Sequence, residues 1–487
     1  MLRRKVLVLS ITLAIVFLAV GTLISLQFQL PKAPVAVSED FVLQSVTIIN
    51  PKFNILKNTD LHIKEGKIKA IGNDIQKTRS FKEFEGSFVL PGLINMHAHN
   101  PARTPLKLTP LFALLAISHG VTTWRDVADP DGTSVSEVRS LINENKWPVP
   151  NVFSCALVTT GHARWASSII MTSVNEAPKI ATDIRKQGHS CIKSYENLSP
   201  EFITALKDAA TKEGLHVAGH VPSSLTYEQA ALPDTQHFFG VPPVTQNSVV
   251  ERNGNWEAVE SERIDEVVKF VLENDLINTP TLVTLLKIQE YGDYERAKLS
   301  KEYAVLPSFY IENVWHPDTG LPVYRHLNTE VLRRAKNALK KKQDLLIKLS
   351  NAGATLNLGT DTQQPFVVPG ASYWHEIKLF AEAGIPIEDI WANATWRAGQ
   401  QLTDANLGVI QIGAPADLLI FKENPTKSLN ALKSLQAIVV RGNLYRKHDI
   451  DSAIRAMQNH FSSWPLEPMA AFFAERKMQE IAKNFTH

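Results

Sequence analysis

The feature that most constrains this chain is an alternation. Across residues 88–359, short apolar runs give way to amphipathic, helix-patterned segments eight times over. The runs cover residues 88–96, 121–127, 152–158, 191–193, 215–220, 235–238, 277–283 and 355–359. Apolar runs too short for helices and without a polar face read as strands buried on both sides. Parallel strands require long crossovers, and helices between them supply these. Eight strand-helix units in succession predict a (β/α)8, TIM-like barrel. A doubly wound open sheet is the other arrangement the alternation permits, and no Gly-rich phosphate fingerprint supports it. One crossover is punctuated clearly: Ser199 reads as an N-cap, Pro200 as the first helical residue and Glu201 as the acid of the first turn.

β texture flanks the barrel. Residues 41–50 and 61–72 carry strand-like runs, with Glu65-Gly66 as a hairpin signal, and residues 407–425 and 435–445 return to the same pattern. We therefore expect a small β-sandwich domain composed of residues 41–87 and 406–446, with the barrel at 88–405 between them. Residues 31–40 read as a linker and 447–487 as a helical extension. Residues 286–350, rich in Lys, Glu and Arg, read mostly as solvated helix, with 332–349 leading into the eighth strand.

At the N-terminus, Arg3, Arg4 and Lys5 precede an almost wholly apolar stretch, residues 6–26, and the next charge is Lys32. Such a segment is long enough to cross a bilayer as a helix, and its basic flank keeps the N-terminus cytoplasmic. A signal peptide fits as well, with 6–19 as its apolar region and Ala19-Val20-Gly21 as its cleavage site. Residues 1–30 are thus an anchor or a cleaved signal; a buried core helix is the third reading. Either of the first two sends the body outside the cytosol, membrane-anchored or secreted or periplasmic.

Charge excludes one partner class. Fifty-one Lys+Arg against 49 Asp+Glu leave +2, without the basic excess that a nucleic-acid binder needs. Two cysteines, Cys155 and Cys191, cannot make a disulfide framework or a four-thiolate zinc site. They fall on neighbouring expected strands and read as buried small hydrophobes rather than a bridge.

Polar groups recur where barrel strands end. His97 and His99 close the first run, and their i, i+2 spacing turns both imidazoles to one side. Lys193 closes the fourth run, His220 the fifth, His237 follows the sixth and Asp361 ends the eighth. The C-terminal mouth is where barrel active sites are built. A lone inward lysine is costly unless paired or uncharged, so Lys193 either meets an acid such as Glu196 or is chemically altered. His216 lies deeper on its strand and carries no role. His162 and Tyr195 are candidate substrate contacts, with a functionless loop histidine and aromatic packing as the alternatives. Asp126 is a candidate buttress for His97 or His99.

These residues, with KEGKIKAIG, VLPGLINMHAH, GVTTWRD and ADLLIFKENP…IVVRGNLY, resemble the amidohydrolase superfamily, the binuclear type with a carboxylated lysine. The stretch from Lys193 to His220 is similar to its prolidase-like and imidazolonepropionase-related branch; Lys193 argues against imidazolonepropionase activity itself. The resemblance implies that His97, His99 and Asp361 hold one metal, His220 and His237 a second, and N6-carboxylysine at Lys193 bridges both. It implies two divalent ions, zinc first, with manganese, cobalt or iron as alternatives. It also implies a shared hydroxide attacking an amide, with Asp361 as catalytic proton acceptor and then donor. The expected substrate is small and dipeptide-like; self-association into a homo-oligomer stays open. Three other readings compete: a lactonase or esterase on the same site, a mononuclear deaminase-like hydrolase, and an inactive barrel used for binding.

Overall fold

The computed structural model describes residues 28–73, 75, 79–104, 106–129, 132–163, 165–242, 253, 255–403 and 406–485. The apolar segment 6–26 lies outside them. Among the described residues, no helix is long and apolar enough to cross a membrane.

The chain first forms β1 (Asp40–Asn50), β2 (Asn54–Lys64), β3 (Lys67–Gly72) and β4 (Phe88–Pro91). β2 and β3 join through the expected two-residue turn: Lys64 pairs with Lys67, and Glu65 and Gly66 take φ of 52° and 75°. Positive φ at both positions matches the twist of the flanking strands. The first apolar run divides after Pro91. Its front half, β4, pairs with β1 in this sheet, whereas β5 (Leu93–Ala98) opens the barrel.

Parallel strands β6 (Val121–Asp126), β7 (Asn151–Thr159), β9 (Cys191–Ser194), β10 (His216–Gly219), β11 (Asp234–Gln236) and β12 (Ile277–Thr279) follow β5 around the barrel in that order; the short β8 (Ile169–Ile170) pairs with β7 off this path. The eighth segment is an isolated bridge between Leu356 and Asn278 rather than a full strand. It nevertheless closes the barrel. Asn357 donates to the Asn278 carbonyl at 2.9 Å, and Met96 donates to that of Leu358 at 2.9 Å. Gly359 permits this approach, since a Cβ there would stand 2.6 Å from His97 Cβ. β13 (Leu418–Phe421), β14 (Leu435–Val440) and β15 (Asn443–Arg446) then return to the first sheet, giving the order β15-β14-β13-β4-β1-β2-β3. The architecture is a TIM-like barrel beside a mixed β-sheet built from both flanks.

Most of the longer helices outside the barrel bury one stripe, whereas Thr109–Ser118 is buried on every side. The 23-residue helix Thr329–Asn351 buries Leu345, Leu346 and Leu349 completely, and each such side chain contributes about 1.5–3 kcal/mol. The helix Pro200–Glu213 begins where expected, after Ser199, and ends at left-handed Gly214, but the Ser199 hydroxyl donates to the Glu201 carboxylate at 2.5 Å instead of accepting from a helix N–H.

Two expectations are corrected here. Residues 288–324 form short helical pieces joined by turns, not a long solvated helix: Tyr303 and Trp315 meet edge-on and pack with Phe366 in a buried aromatic cluster. Their charged neighbours dominate composition, while the irregularly spaced aromatics decide the packing. Cys155 and Cys191 are disulfide-bonded rather than separate thiols. They are direct register partners on β7 and β9, with Cα atoms 4.3 Å apart, so both side chains leave the strands on one face.

Candidate active site

The strand ends bring the histidines, Lys193 and Asp361 into one cluster. Ring centroids separate His97 from His99 by 5.3 Å, His97 from His237 by 4.7 Å and His220 from His237 by 4.9 Å. Asp361 Oδ1 lies 3.2 Å from His97 Nε2 and 3.1 Å from His99 Nε2, and its Oδ2 lies 3.9 Å from His237 Nε2. The backbone carries strain to achieve this. Asp361, His237 and Phe238 have φ of 56°, 61° and 53°, a left-handed conformation that costs about 1–2 kcal/mol for each such residue.

Hydrogen bonds behind the rings set which nitrogen faces the cluster. Gln236 Nε2 donates to Asp234 Oδ1 at 2.7 Å, which turns Gln236 Oε1 toward His97 Nδ1 at 2.6 Å. An amide oxygen only accepts, so the His97 proton sits on Nδ1 and Nε2 presents a lone pair. His99 Nδ1 faces the Ala128 carbonyl at 2.9 Å and His220 Nδ1 faces Glu196 Oε1 at 3.2 Å, so both Nε2 atoms are left to the cluster by the same logic. His237 Nδ1 pairs with Thr281 Oγ1 at 2.5 Å. His97 Nε2, buried, has no hydrogen-bond partner among the described residues.

A model of the amidohydrolase family matches residues 88–445. The chain belongs to the amidohydrolase family. It is therefore a hydrolase acting on carbon–nitrogen bonds. Among solved structures, it is similar to bottromycin amidohydrolase, at 20% identity over 89% of this chain and 92% of that one, with a TM-score of 0.66. A Xaa-Pro dipeptidase with methionine in its active site matches at 20% identity over 84% and 100%, with a TM-score of 0.59. Aspergillus niger ochratoxinase matches at 16% identity over 84% and 96%, with a TM-score of 0.57. No curated protein sequence matches this chain.

This amidohydrolase has a donor set that fits a divalent cation. His97, His99 and Asp361 offer ligand atoms within 4.8 Å of one another. Two imidazole lone pairs facing a carboxylate oxygen repel unless a proton or a cation lies between them. Burial pushes His97 down to about 3, keeping it neutral. Burial also works against protonation of His99, but the Asp361 and Asp126 carboxylates outweigh it and raise its pKa. Burial would push the Asp361 carboxyl up, yet the surrounding histidines hold it well below the ordinary range. The pocket favours positive charge where these three atoms meet.

Lys193 is 2% exposed, and burial lowers its pKa to about 8. Among the described residues, no carboxylate oxygen lies within ion-pair distance of its Nζ. Glu196, the acid weighed as its partner, holds His220 instead. Asp126 also differs from expectation: it accepts from the Asn100 and Ala128 N–H groups and so anchors the loop whose Ala128 carbonyl holds His99. Tyr195 packs on His220 at 4.9 Å and accepts from Trp165 Nε1 at 3.2 Å, whereas His162 is exposed in the turn after β7. His216, given no role from the sequence, is exposed at the start of β10. The sequence reading missed Gln236 and the Arg125–Asp234 ion pair beneath it. A glutamine directly before a candidate ligand and a charge inside an apolar strand were the available signals.

Proposed function

We propose that this amidohydrolase is an exported, binuclear metallohydrolase that cleaves an amide bond in a small, dipeptide-like substrate. The convergence of His97 Nε2, His99 Nε2 and Asp361 Oδ1 carries the reading: the three atoms lie close enough to share one cation, and buried His97 Nε2 has no hydrogen-bond partner among the described residues. His97, His99 and Asp361 would hold one ion; His220 and His237 would hold the other, with carboxylated Lys193 between them. Imidazole and carboxylate donors suit zinc. Bound ions of this kind supply Lewis acidity, making water a nucleophile near neutral pH and polarising the scissile carbonyl. Asp361 then accepts the proton of the attacking water at a carboxylate oxygen and returns it to the leaving amine. Gln236 and Glu196 keep the two imidazoles in the tautomer that leaves Nε2 free.

Lys193 supports the carbamate reading through its burial. A neutral amine adds carbon dioxide, forming an N–C bond and losing one proton, and the depressed pKa makes that neutral form accessible near pH 8. The product is an anion, which removes the cost of a buried ammonium. The structural likeness to a Xaa-Pro dipeptidase is compatible with a dipeptide-like substrate. Export draws support from the apolar segment 6–26 behind its basic triplet and from the Cys155–Cys191 bridge, which suits an oxidising compartment.

Purified protein is expected to carry close to two divalent ions per chain by elemental analysis, and chelation should abolish hydrolysis of dipeptides and N-acyl amino acids until zinc is restored. One ion per chain in metal-replete protein would shift the reading to a mononuclear centre, and turnover confined to lactones would shift it to an esterase. For topology, a reporter fused after Asp40 should be active only outside the cytoplasm; cytosolic activity of that fusion overturns export.

A further inference from the structure

We propose that Lys342 is a positioning residue for His237, holding the backbone turn that aims its imidazole into the cluster. The proposal rests on His237 being a metal ligand. Lys342 lies on the helix Thr329–Asn351 in line with Ala335, Ala338, Leu345 and Leu349, all buried, and is itself 2% exposed. An ordinary apolar residue would fill that stripe. A buried ammonium is tolerated only with specific acceptors, and no carboxylate oxygen lies within ion-pair distance of Nζ among the described residues. Its acceptors are the His237 carbonyl at 2.9 Å and Asn253 Oδ1 at 2.8 Å. The rings of Trp256 and Phe239 flank it, with centroids 5.5 and 5.8 Å away.

The His237 carbonyl is the decisive acceptor. β11 ends at Gln236, and the left-handed conformations of His237 and Phe238 turn the chain out of the sheet. The His237 N–H still bonds the Thr279 carbonyl at 3.0 Å, and its ring bonds Thr281. Both of those anchors come from the adjacent strand end. Lys342 supplies the third from the outer helix layer and satisfies a carbonyl that would otherwise lose its partner. Without it, the turn is free to relax toward an ordinary conformation, carrying the imidazole with it. Its hydrogen-bond acceptors do not include His97, His99 or Asp361, so the larger effect falls on the second ion.

The test titrates zinc into metal-free, full-length protein against a competing chelator, with thermal unfolding of the same apoproteins recorded alongside. Lys342→Met should weaken one of two ions by about 10- to 100-fold and leave the other unchanged, the usual range for losing a group behind a ligand. Lys342→Arg, which keeps the donors, should recover most of that loss. Unchanged affinity for both ions in folded Lys342→Met overturns the proposal. So does an equal weakening of both that arginine does not repair, because that is a general stability effect. Should the methionine variant not fold, Lys342→Gln is read by the same criterion; if neither folds, Lys342 serves stability and the proposal falls. His237→Ala is run in parallel. If it keeps both ions, the ligand reading of His237 has failed; if it loses one while Lys342→Met loses none, only the positioning role has failed.

Discussion

Asp361→Asn is expected to lower turnover of the best amide substrate by about two to four orders of magnitude, the range for removing a positioned general base. Asparagine keeps the size of the side chain and one carbonyl oxygen. It also tolerates the left-handed backbone of this position, φ 56°, better than most residues, so the fold should survive the change. What disappears is the negative charge opposite His97 and His99 and the capacity to take up a proton. kcat and metal content should be measured on the same preparation, because loss of an ion would add to the effect. Near-normal turnover with full metal occupancy would remove Asp361 from proton transfer and leave it a ligand only.

Lys193→Ala should eliminate activity and much of the bound metal. The two forms of Lys193 predict opposite rescue behaviour. An ammonium ligates nothing and repels cations, whereas a carbamate contributes two oxygens and one negative charge. Acetate or propionate, added with zinc, should therefore restore part of both metal content and turnover to Lys193→Ala. Lys193→Arg should not respond, because its side chain fills the space and stays cationic. Carbon NMR with labelled bicarbonate reads the carbamate directly. An unmodified Lys193 in active, metal-loaded enzyme would sink the bridging role.

Much of the site was legible because barrel topology converts sequence position into spatial position. A polar residue ending an apolar run in such a chain must arrive at one rim, so His97, His99, Lys193, His220, His237 and Asp361 could be named together before their distances were known. The eighth run was recognisable although it forms only one bridge, since its pattern reports burial on both faces rather than ladder length. Residues 288–324 misled because their charges are frequent and their aromatics irregularly spaced, so no period marks the buried face. Lys342 left a readable trace, a charge inside an otherwise apolar helical stripe, but a trace of that kind names no partner.

By itself, the sequence determined the alternation of elements, the rim on which polar groups gather and the chemical character of those groups, all of which follow from periodicity and residue type along one strand at a time. Tertiary structure alone decided pairings between distant segments. It joined Gln236 to His97, gave Glu196 to His220 rather than Lys193, set Cys155 beside Cys191 and brought Lys342 to the His237 carbonyl. Each pairing depends on the register between neighbouring strands, on contact between strands that are not neighbours, as for Gln236 and His97, or on the seating of a helix against the barrel. A shift of one residue in register turns a side chain to the other face, and no local pattern records that choice.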